Sequence, residues 1–207
     1  MPEENLLTLE STYQFNDFKK ITEIKKIIWE EPEQTALAAF LMETRAKKSN
    51  WSPYFDMFPI GIIRTNPLFF KEQEFEYLIG TDFLGKLQKE KDLLKKDYDI
   101  LISNILKYSI YSFEEFCLNR LIIAGRAFGF TDGHLEKTQA LVPFADFINI
   151  GAKKNVNCEF DRNKNCFEFS AINDIKKGEA LTINSSPTVF INFWFFDENH
   201  GVDGSIQ

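Results

Sequence analysis

The stretch Leu141-Val-Pro-Phe-Ala-Asp-Phe-Ile-Asn149 decides the fold of this chain, together with Lys176-Lys-Gly-Glu-Ala-Leu-Thr-Ile-Asn184 farther along. In the first stretch, Asp146 and Asn149 are residue types that favour caps and turns. In the second, the Lys-Gly pair predicts a turn before a short strand over residues 180–184. This part of the chain is therefore predicted to consist of short strands and turns.

A hairpin is predicted between these two stretches. Asn157-Cys-Glu-Phe-Asp161 and Cys166-Phe-Glu-Phe-Ser170 each alternate with a period of two residues. The polar run Arg162-Asn-Lys-Asn165 lies between them and suits a turn. Alternation of this kind is typical of two half-buried strands that pair with each other.

The first half of the chain has a helical pattern instead. Apolar residues recur at helical spacing in residues 18–29. Ser112, with Glu115 three residues later, predicts a capping box at a helix start. Further helices are predicted over residues 33–47, 69–78 and 83–106, and the capped helix runs to about residue 124. The sequence thus predicts an α+β fold in a single domain over residues 1–207, with a mainly helical lobe over 1–124 and a β-rich half over 125–207.

An aromatic connector, Ser49-Asn-Trp-Ser-Pro-Tyr-Phe-Asp-Met-Phe-Pro59, joins two of these helices. Its two prolines exclude a long helix, because proline lacks the backbone N–H group that a helix interior needs. Packing is the favoured interpretation of its aromatic side chains, ahead of ligand binding.

Composition excludes some classes of function. The formal net charge of −7 argues against a sequence-independent grip on phosphate backbones, so we expect no nucleic-acid partner. No run approaches the roughly 18 apolar residues of a membrane-spanning helix, so no transmembrane segment is expected. The acidic start, Met-Pro-Glu-Glu-Asn, resembles neither a secretory signal nor a transit peptide.

Cysteine and histidine usage predicts no cross-link and no metal site. The three cysteines Cys117, Cys158 and Cys166 are odd in number and form no Cys-x-x-Cys pair. This indicates reduced thiols in an intracellular, reducing compartment, and the cytoplasm, the nucleus and an organelle all fit. His134 and His200 have no companion ligands at metal-binding spacing.

Five pieces of the chain, in order, resemble SET-domain methyltransferases of the group that includes the Rubisco large-subunit methyltransferase. Residues 36–45 and the aromatic connector are similar to that family's early helix and its S-x-W-x-P-Y-x-x-x-L-P segment. Arg126-Ala-Phe128 is similar to the end of its Ser-Arg-x-Phe motif. Residues 141–149 and 178–183 supply the remaining pieces.

The resemblance implies transfer of a methyl group from S-adenosylmethionine to a lysine, or in one branch a histidine, of a protein. It implies that Asn149 and Arg126 bind the cofactor, Asn149 as the first member of an Asn-His pair. A tyrosine near the C-terminal end lines the methyl-transfer channel in that family, and a glycine-containing loop near its start cradles the cofactor.

The sequence departs from the family at several of these positions. Ile150 stands where the cofactor-binding His is expected, and it can neither donate nor accept a hydrogen bond. Ser185 stands where the catalytic Tyr is expected, so no catalytic residue is assigned. Gly125 replaces the usual Ser before Arg126. The earliest glycine is Gly61, too late for the cofactor loop, and the strand before that loop is predicted to be absent or replaced by residues 1–30.

These losses lead to the hypothesis of a degenerate SET-fold pseudoenzyme. It would bind no cofactor, with Asn149 and Arg126 as vestiges, and would serve as a structural or interaction subunit among other protein subunits. The apolar tail over residues 190–196 and the aromatic connector are its candidate partner surfaces. Simpler interpretations also stand: Asp146 and Asn149 as turn residues, and Arg126 as the partner of a nearby acid.

Two alternatives remain open. In the first alternative, the chain is an active S-adenosylmethionine-dependent protein-lysine methyltransferase. It would use Asn149 and Arg126 and would recruit another tyrosine, Tyr108 or Tyr111, into the channel. Otherwise it is a fragment whose missing N-terminal strand comes from another polypeptide.

Overall fold

Helices dominate the part of the fold that precedes the β-rich half, as the sequence predicts. The computed structural model describes residues 6–8, 32–131, 137–151 and 153–183. The predicted helix over 18–29, His134, Ser185, the tail over 190–196 and His200 lie outside these ranges.

The long helices begin and end close to their predicted bounds. They are α1 (Pro32–Arg45), α5 (Asp82–Asn104) and α6 (Phe113–Arg126). The capping box at the start of α6 is confirmed: the Ser112 hydroxyl accepts from the Glu115 N–H group, and the Glu115 carboxylate accepts from the Ser112 N–H group. Two orphan N–H groups of the helix start are satisfied in this way.

Short helical segments connect α1 to α5. They are α2 (Ser52–Phe55), α3 (Ile60–Ile63), a 3-10 turn (Pro67–Phe69), α4 (Glu72–Phe75) and a second 3-10 turn (Glu76–Leu78). The prediction of one helix over 69–78 is wrong. Phe70 and Lys71 have extended ψ angles of 139° and 161°, which interrupt the helical hydrogen bonds between Phe69 and Glu72.

The strands in the described part of the chain form three small sheets. The first contains β1 (Leu7–Thr8), β3 (Lys137–Leu141) and β2 (Ala127–Thr131), with β3 antiparallel to both neighbours. The second pairs β4 (Asn149–Ile150) with β7 (Thr182–Ile183) in parallel. The third is the predicted hairpin of β5 (Val156–Asp161) and β6 (Cys166–Ala171), which is confirmed.

Residues near the N-terminus do supply a strand. Leu7 and Thr8 pair with Leu141 and Ala140 of β3, so part of residues 1–30 completes the first sheet. The predicted strand over 180–184 is present in a shorter form as β7. Together with the helices this confirms the α+β fold class.

Two apolar clusters hold these elements together. The larger one packs α1 against α6, with α5 beside it, and includes the fully buried Leu37, Leu101 and Phe116. The smaller one lies between the first sheet and the β5–β6 hairpin, around Phe167 and the rings of Phe128 and Phe130.

A 3-10 turn (Leu106–Ile110) leads from α5 to α6. Among the described helices, none combines the length and the apolar character that crossing a bilayer requires.

Candidate active site

A pocket of about 530 Å³ lies where the end of α6 continues into β2 and faces β5. Its size falls within the range of small-molecule sites, roughly 300–1,000 Å³. Aromatic and aliphatic side chains line much of it, and a few charged groups converge on it, among them Arg126, Asp146 and Glu159. A mainly apolar pocket with a few placed polar groups is the usual form of a ligand site.

Arg126 and Asp146 form a buried ion pair at this pocket. Arg126 is the last residue of α6, and Asp146 lies in a 3-10 turn (Ala145–Phe147) after β3. One guanidinium nitrogen, Nη1, donates to Asp146 Oδ2 at 2.6 Å. The two side chains are 15% and 1% exposed, respectively. The interpretation of Arg126 as the partner of a nearby acid is therefore confirmed.

Tyr54 of α2 is the third member of this group. Its hydroxyl donates to the same Asp146 oxygen at 3.0 Å, across 92 residues of sequence. Burial, aided by the adjacent Asp146 carboxylate, raises the pKa of Tyr54 well above its ordinary value. The phenol therefore stays protonated and acts as a donor. Two donors thus share Asp146 Oδ2, whereas the buried Oδ1 has no hydrogen-bond partner among the described residues.

The guanidinium of Arg126 lies over two aromatic rings. Its central carbon lies 5.1 Å from the centroid of Phe58 and 5.6 Å from that of Phe147. Contacts of this length are in the range of cation–π attraction. Only Nη1 bonds to Asp146, so Nε and Nη2 have no hydrogen-bond partner in the described part of the chain. They are available to an acceptor in the pocket, because arginine carries five N–H donors.

The backbone before Asp146 takes an unusual turn. Phe144 has a φ of 68°, in the left-handed region that few non-glycine residues adopt. Such a conformation costs roughly 1–2 kcal/mol and persists where the surrounding structure requires it. Here it leads the chain from β3 into the turn that places Asp146 beside Arg126.

Side chains alternate in direction along β4 and the residue before it. Ile148 and Ile150 line the pocket, whereas the exposed Asn149 does not. The Asn149 N–H group donates to the carbonyl of Leu181, which fixes this strand against β7. The structure thus brings Arg126 to the pocket wall and leaves Asn149 between two wall residues.

The other tyrosines considered from the sequence lie elsewhere. Tyr108 is fully buried, with its hydroxyl 3.4 Å from a Glu43 carboxylate oxygen, and neither Tyr108 nor Tyr111 lines the pocket. Within the described ranges, no three His, Cys, Asp or Glu side chains are grouped so that they could hold a metal ion. Sequence reasoning missed Tyr54, although it occupies the Tyr position of the W-x-P-Y segment that supports the family resemblance.

The thiol of Cys158 is another part of the pocket wall. Burial raises its pKa to about 11, and burial raises the pKa of the Cys117 thiol to about 12. The protonated thiol is therefore the stable form in the folded protein at neutral pH. Its contribution to stability is complete below the unfolded-state pKa of about 8.5, and it is lost as the pH rises toward 11.

We expect both thiols to resist alkylation in the folded protein. The thiolate is the reactive form, and at pH 8 a thiol with a pKa of 11 is only about 0.1% ionised. Iodoacetamide should modify Cys158 and Cys117 at least about tenfold more slowly in the native protein than in the urea-unfolded chain. Site-resolved mass spectrometry measures both rates, and equal rates in the two states would contradict the burial effect.

A match to a family profile shows which family the chain belongs to. The family profile described as "SET domain" matches residues 16–184, which is most of the chain. The chain belongs to the SET domain family. Its resemblance to this family is therefore confirmed over both the helical and the β-rich parts.

Curated sequence relatives of this SET-domain chain are lysine methyltransferases. N-lysine methyltransferase SETD6 of Homo sapiens is 26% identical over 161 residues, covering 70% of this chain and 33% of the human protein. The Bos taurus protein of the same name is 27% identical over 161 residues, covering 70% of this chain and 35% of its own length. The chain thus spans about a third of the length of these relatives.

Solved structures share the fold. The SET domain of LSMT, bound to lysine and AdoHcy, superposes with a TM-score of 0.70 at 18% identity, covering 94% of this chain and 46% of that one. Rubisco LSMT bound to sinefungin and monomethyllysine gives a TM-score of 0.65 at 19% identity, covering 96% and 46%.

The prediction of a cofactor-free pseudoenzyme that acts as a structural subunit is wrong. The curated relatives are named as methyltransferases, and both solved neighbours hold AdoHcy or sinefungin. The hypothesis rested on the loss of polar and catalytic contacts at Ile150 and Ser185 and on the missing glycine loop. In the structure, however, Ile150 is 45% exposed and borders an open pocket beside the intact Arg126–Asp146 pair.

Proposed function

We propose that this chain is the SET domain of an S-adenosylmethionine-dependent protein-lysine N-methyltransferase. The observation that carries the proposal is the pocket in which Arg126 keeps unused donors. The SETD6 relatives support lysine as the acceptor, because N-lysine methyltransferase is the name they carry.

The side chains at the pocket fit such a cofactor chemically. Its amino-acid part carries a carboxylate and an ammonium group, and Arg126 and Glu159 offer the opposite charges. Its adenine and sulfonium groups favour aromatic surroundings, which Phe128, Phe130 and Phe160 provide. We assign cofactor binding to Arg126, with Asn149 contributing from the adjacent edge of β4.

When bound, S-adenosylmethionine supplies the electrophilic methyl group. The chain's own task is then to hold the two reactants in line and to exclude water. Both effects lower the activation barrier for methyl transfer. The apolar wall and the fixed Arg126 serve that task. Ile150 contributes no polar contact, and one missing positioned polar group costs roughly 10²–10⁴ in rate. We therefore expect slow turnover.

Narrowing the pocket should weaken cofactor binding and slow methyl transfer. Ile150→Trp places a large ring at the pocket edge and should raise the Kd for S-adenosylhomocysteine by more than about tenfold, since two rigid groups cannot share one space. Ile172→Trp is the matched control, because Ile172 is 44% exposed, similar to the 45% of Ile150, and lies away from the pocket. The control should bind within about twofold of the unchanged protein.

The measurements are calorimetric titration with S-adenosylhomocysteine and transfer of a labelled methyl group to a lysine peptide array. An array with arginine in place of every lysine tests the acceptor. Absence of heat at millimolar ligand, together with an unlabelled lysine array, would refute the proposed function.

A further inference from the structure

The aromatic connector contributes more than packing to the pocket. Tyr54 and Phe58 both come from this segment, and both contact the group around Arg126. Tyr54 is 4% exposed and Phe58 is 5% exposed, so neither is a direct surface for a ligand. The segment thus reaches the pocket through Arg126 and Asp146.

The hydroxyl of Tyr54 limits where the Asp146 carboxylate can lie. Asp146 Oδ2 accepts from Tyr54 at 3.0 Å and from Arg126 Nη1 at 2.6 Å. The Tyr54 ring is itself fixed, since it packs edge-on against Phe58 with centroids 4.9 Å apart. A carboxylate held from one side by a fixed phenol presents a defined position to the arginine on the other side.

The arginine is fixed in turn on three sides. Asp146 binds one nitrogen, and the guanidinium carbon lies over the rings of Phe58 and Phe147. The nitrogens that remain, Nε and Nη2, therefore have a set direction at the pocket wall. Preorganised donors bind an acceptor more tightly than mobile ones, because less side-chain entropy is lost on binding.

We propose that Tyr54 is a positioning residue, which acts through Asp146 to hold the Arg126 guanidinium in place for the carboxylate of the cofactor. This inference rests on the proposed function for the identity of the ligand. The positioning of Arg126 itself can be tested without any ligand.

Tyr54→Phe is the test variant, since it removes one oxygen and keeps the ring. Tyr98→Phe is the matched control. The Tyr98 hydroxyl is also partly buried and donates to the backbone carbonyl of Tyr111 at 2.6 Å, and Tyr98 does not line the pocket. Both variants should lose some stability, so a change in stability alone does not distinguish them.

The first readout is the side-chain NMR signal of Arg126 Nε–H in the ligand-free protein, assigned by its loss in Arg126→Lys. Tyr54→Phe should shift this signal and speed rotation of the guanidinium, whereas Tyr98→Phe should leave both as in the unchanged protein. An Arg126 signal that does not respond to Tyr54→Phe would overturn the inference, whether or not the cofactor binds.

The second readout is the Kd for S-adenosylhomocysteine from calorimetry. Tyr54→Phe should weaken binding about tenfold, the order of one hydrogen bond to a charged group, and Tyr98→Phe less than about twofold. An unchanged Kd in Tyr54→Phe would overturn the inference, while no binding by the unchanged protein would instead defeat the proposed function.

A second variant covers the case in which Tyr54→Phe folds poorly. Phe58→Leu removes a ring beside the guanidinium and leaves the Tyr54 hydroxyl in place. It should move the same Arg126 signal, and a signal at the position of the unchanged protein would count against the aromatic connector as the element that positions Arg126.

Discussion

Replacing Asp146 with alanine is expected to lower the free energy of unfolding by about 3 kcal/mol. Removing one partner of a buried ion pair typically costs 3–5 kcal/mol, because the other charge stays buried without compensation. Here the carboxylate is 1% exposed and is the acceptor for both Arg126 and Tyr54. The lower end of the range applies, because Arg126 reaches the pocket and water can partly hydrate it.

Oxygen Oδ1 of Asp146 also favours the lower end of this range of about 3–5 kcal/mol. Asp146 Oδ1 is buried without a partner among the described residues, so its removal relieves a desolvation cost of roughly 1–3 kcal/mol. Urea denaturation measures the change. The control is Asp99→Ala, which removes an exposed ion pair with Lys95 and should change stability by at most about 0.5 kcal/mol. A loss below about 1 kcal/mol in Asp146→Ala would show that the buried pair contributes little.

The secondary structure could be predicted where the signal is local. Apolar spacing predicted α1, α5 and α6 close to their ends, and the side chains of Ser112 and Glu115 predicted the start of α6. Alternation predicted the β5–β6 hairpin for the same reason. These patterns reflect the period of a single element, which the sequence displays directly.

The prediction of one helix over residues 69–78 is wrong because two residues within it take extended backbone angles. Phe70 and Lys71 are acceptable helix residues by composition, yet both take extended ψ angles. The side chain of Glu74 accepts from the Lys71 N–H group and so starts a new helix there. A local capping contact thus divides the segment, and apolar spacing alone does not reveal it.

The site could be predicted only in part, because its contacts join distant residues. The sequence supplied Arg126 and Asp146 as separate motif members, 20 residues apart, and their ion pair depends on the fold. Tyr54 is 92 residues from Asp146, so no local pattern links them. The assignment of Asn149 and Arg126 to cofactor binding stays a prediction, and Ser185 lies beyond the residues that the structure describes.

The pseudoenzyme hypothesis is wrong because the pocket is built from several elements of the fold. It treated the changes at Ile150 and Ser185, together with the missing glycine loop, as the loss of the cofactor site, although Ile150 contributes only part of the pocket wall. The pocket wall also includes Arg126, Glu159 and several rings, which come from other elements of the fold. A site spread over many elements can keep its shape after one polar contact is lost.

Replacing Phe116 with alanine is expected to destabilise the protein by about 3–5 kcal/mol, the usual range for a buried Phe→Ala change. Phe116 is fully buried on α6, and its ring lies 5.7 Å from that of Tyr98 on α5. Its loss removes apolar contact and leaves a cavity between packed helices. Phe116→Leu should cost less than Phe116→Ala, because it fills most of that volume. The control Leu106→Ala, at an 80% exposed position, should stay within about 0.5 kcal/mol.

Phe116→Ala also tests whether a loss of stability alone weakens ligand binding. Phe116 and Arg126 lie on the same helix, ten positions apart, but Phe116 does not line the pocket. At a low temperature where the folded state still dominates, Phe116→Ala should therefore bind S-adenosylhomocysteine within about twofold of the unchanged protein. Asp146→Ala, with a similar loss of stability, should bind much more weakly, because Arg126 loses its anchor. Equal losses of affinity in the two variants would mean that general destabilisation, and not the position of Arg126, controls the pocket.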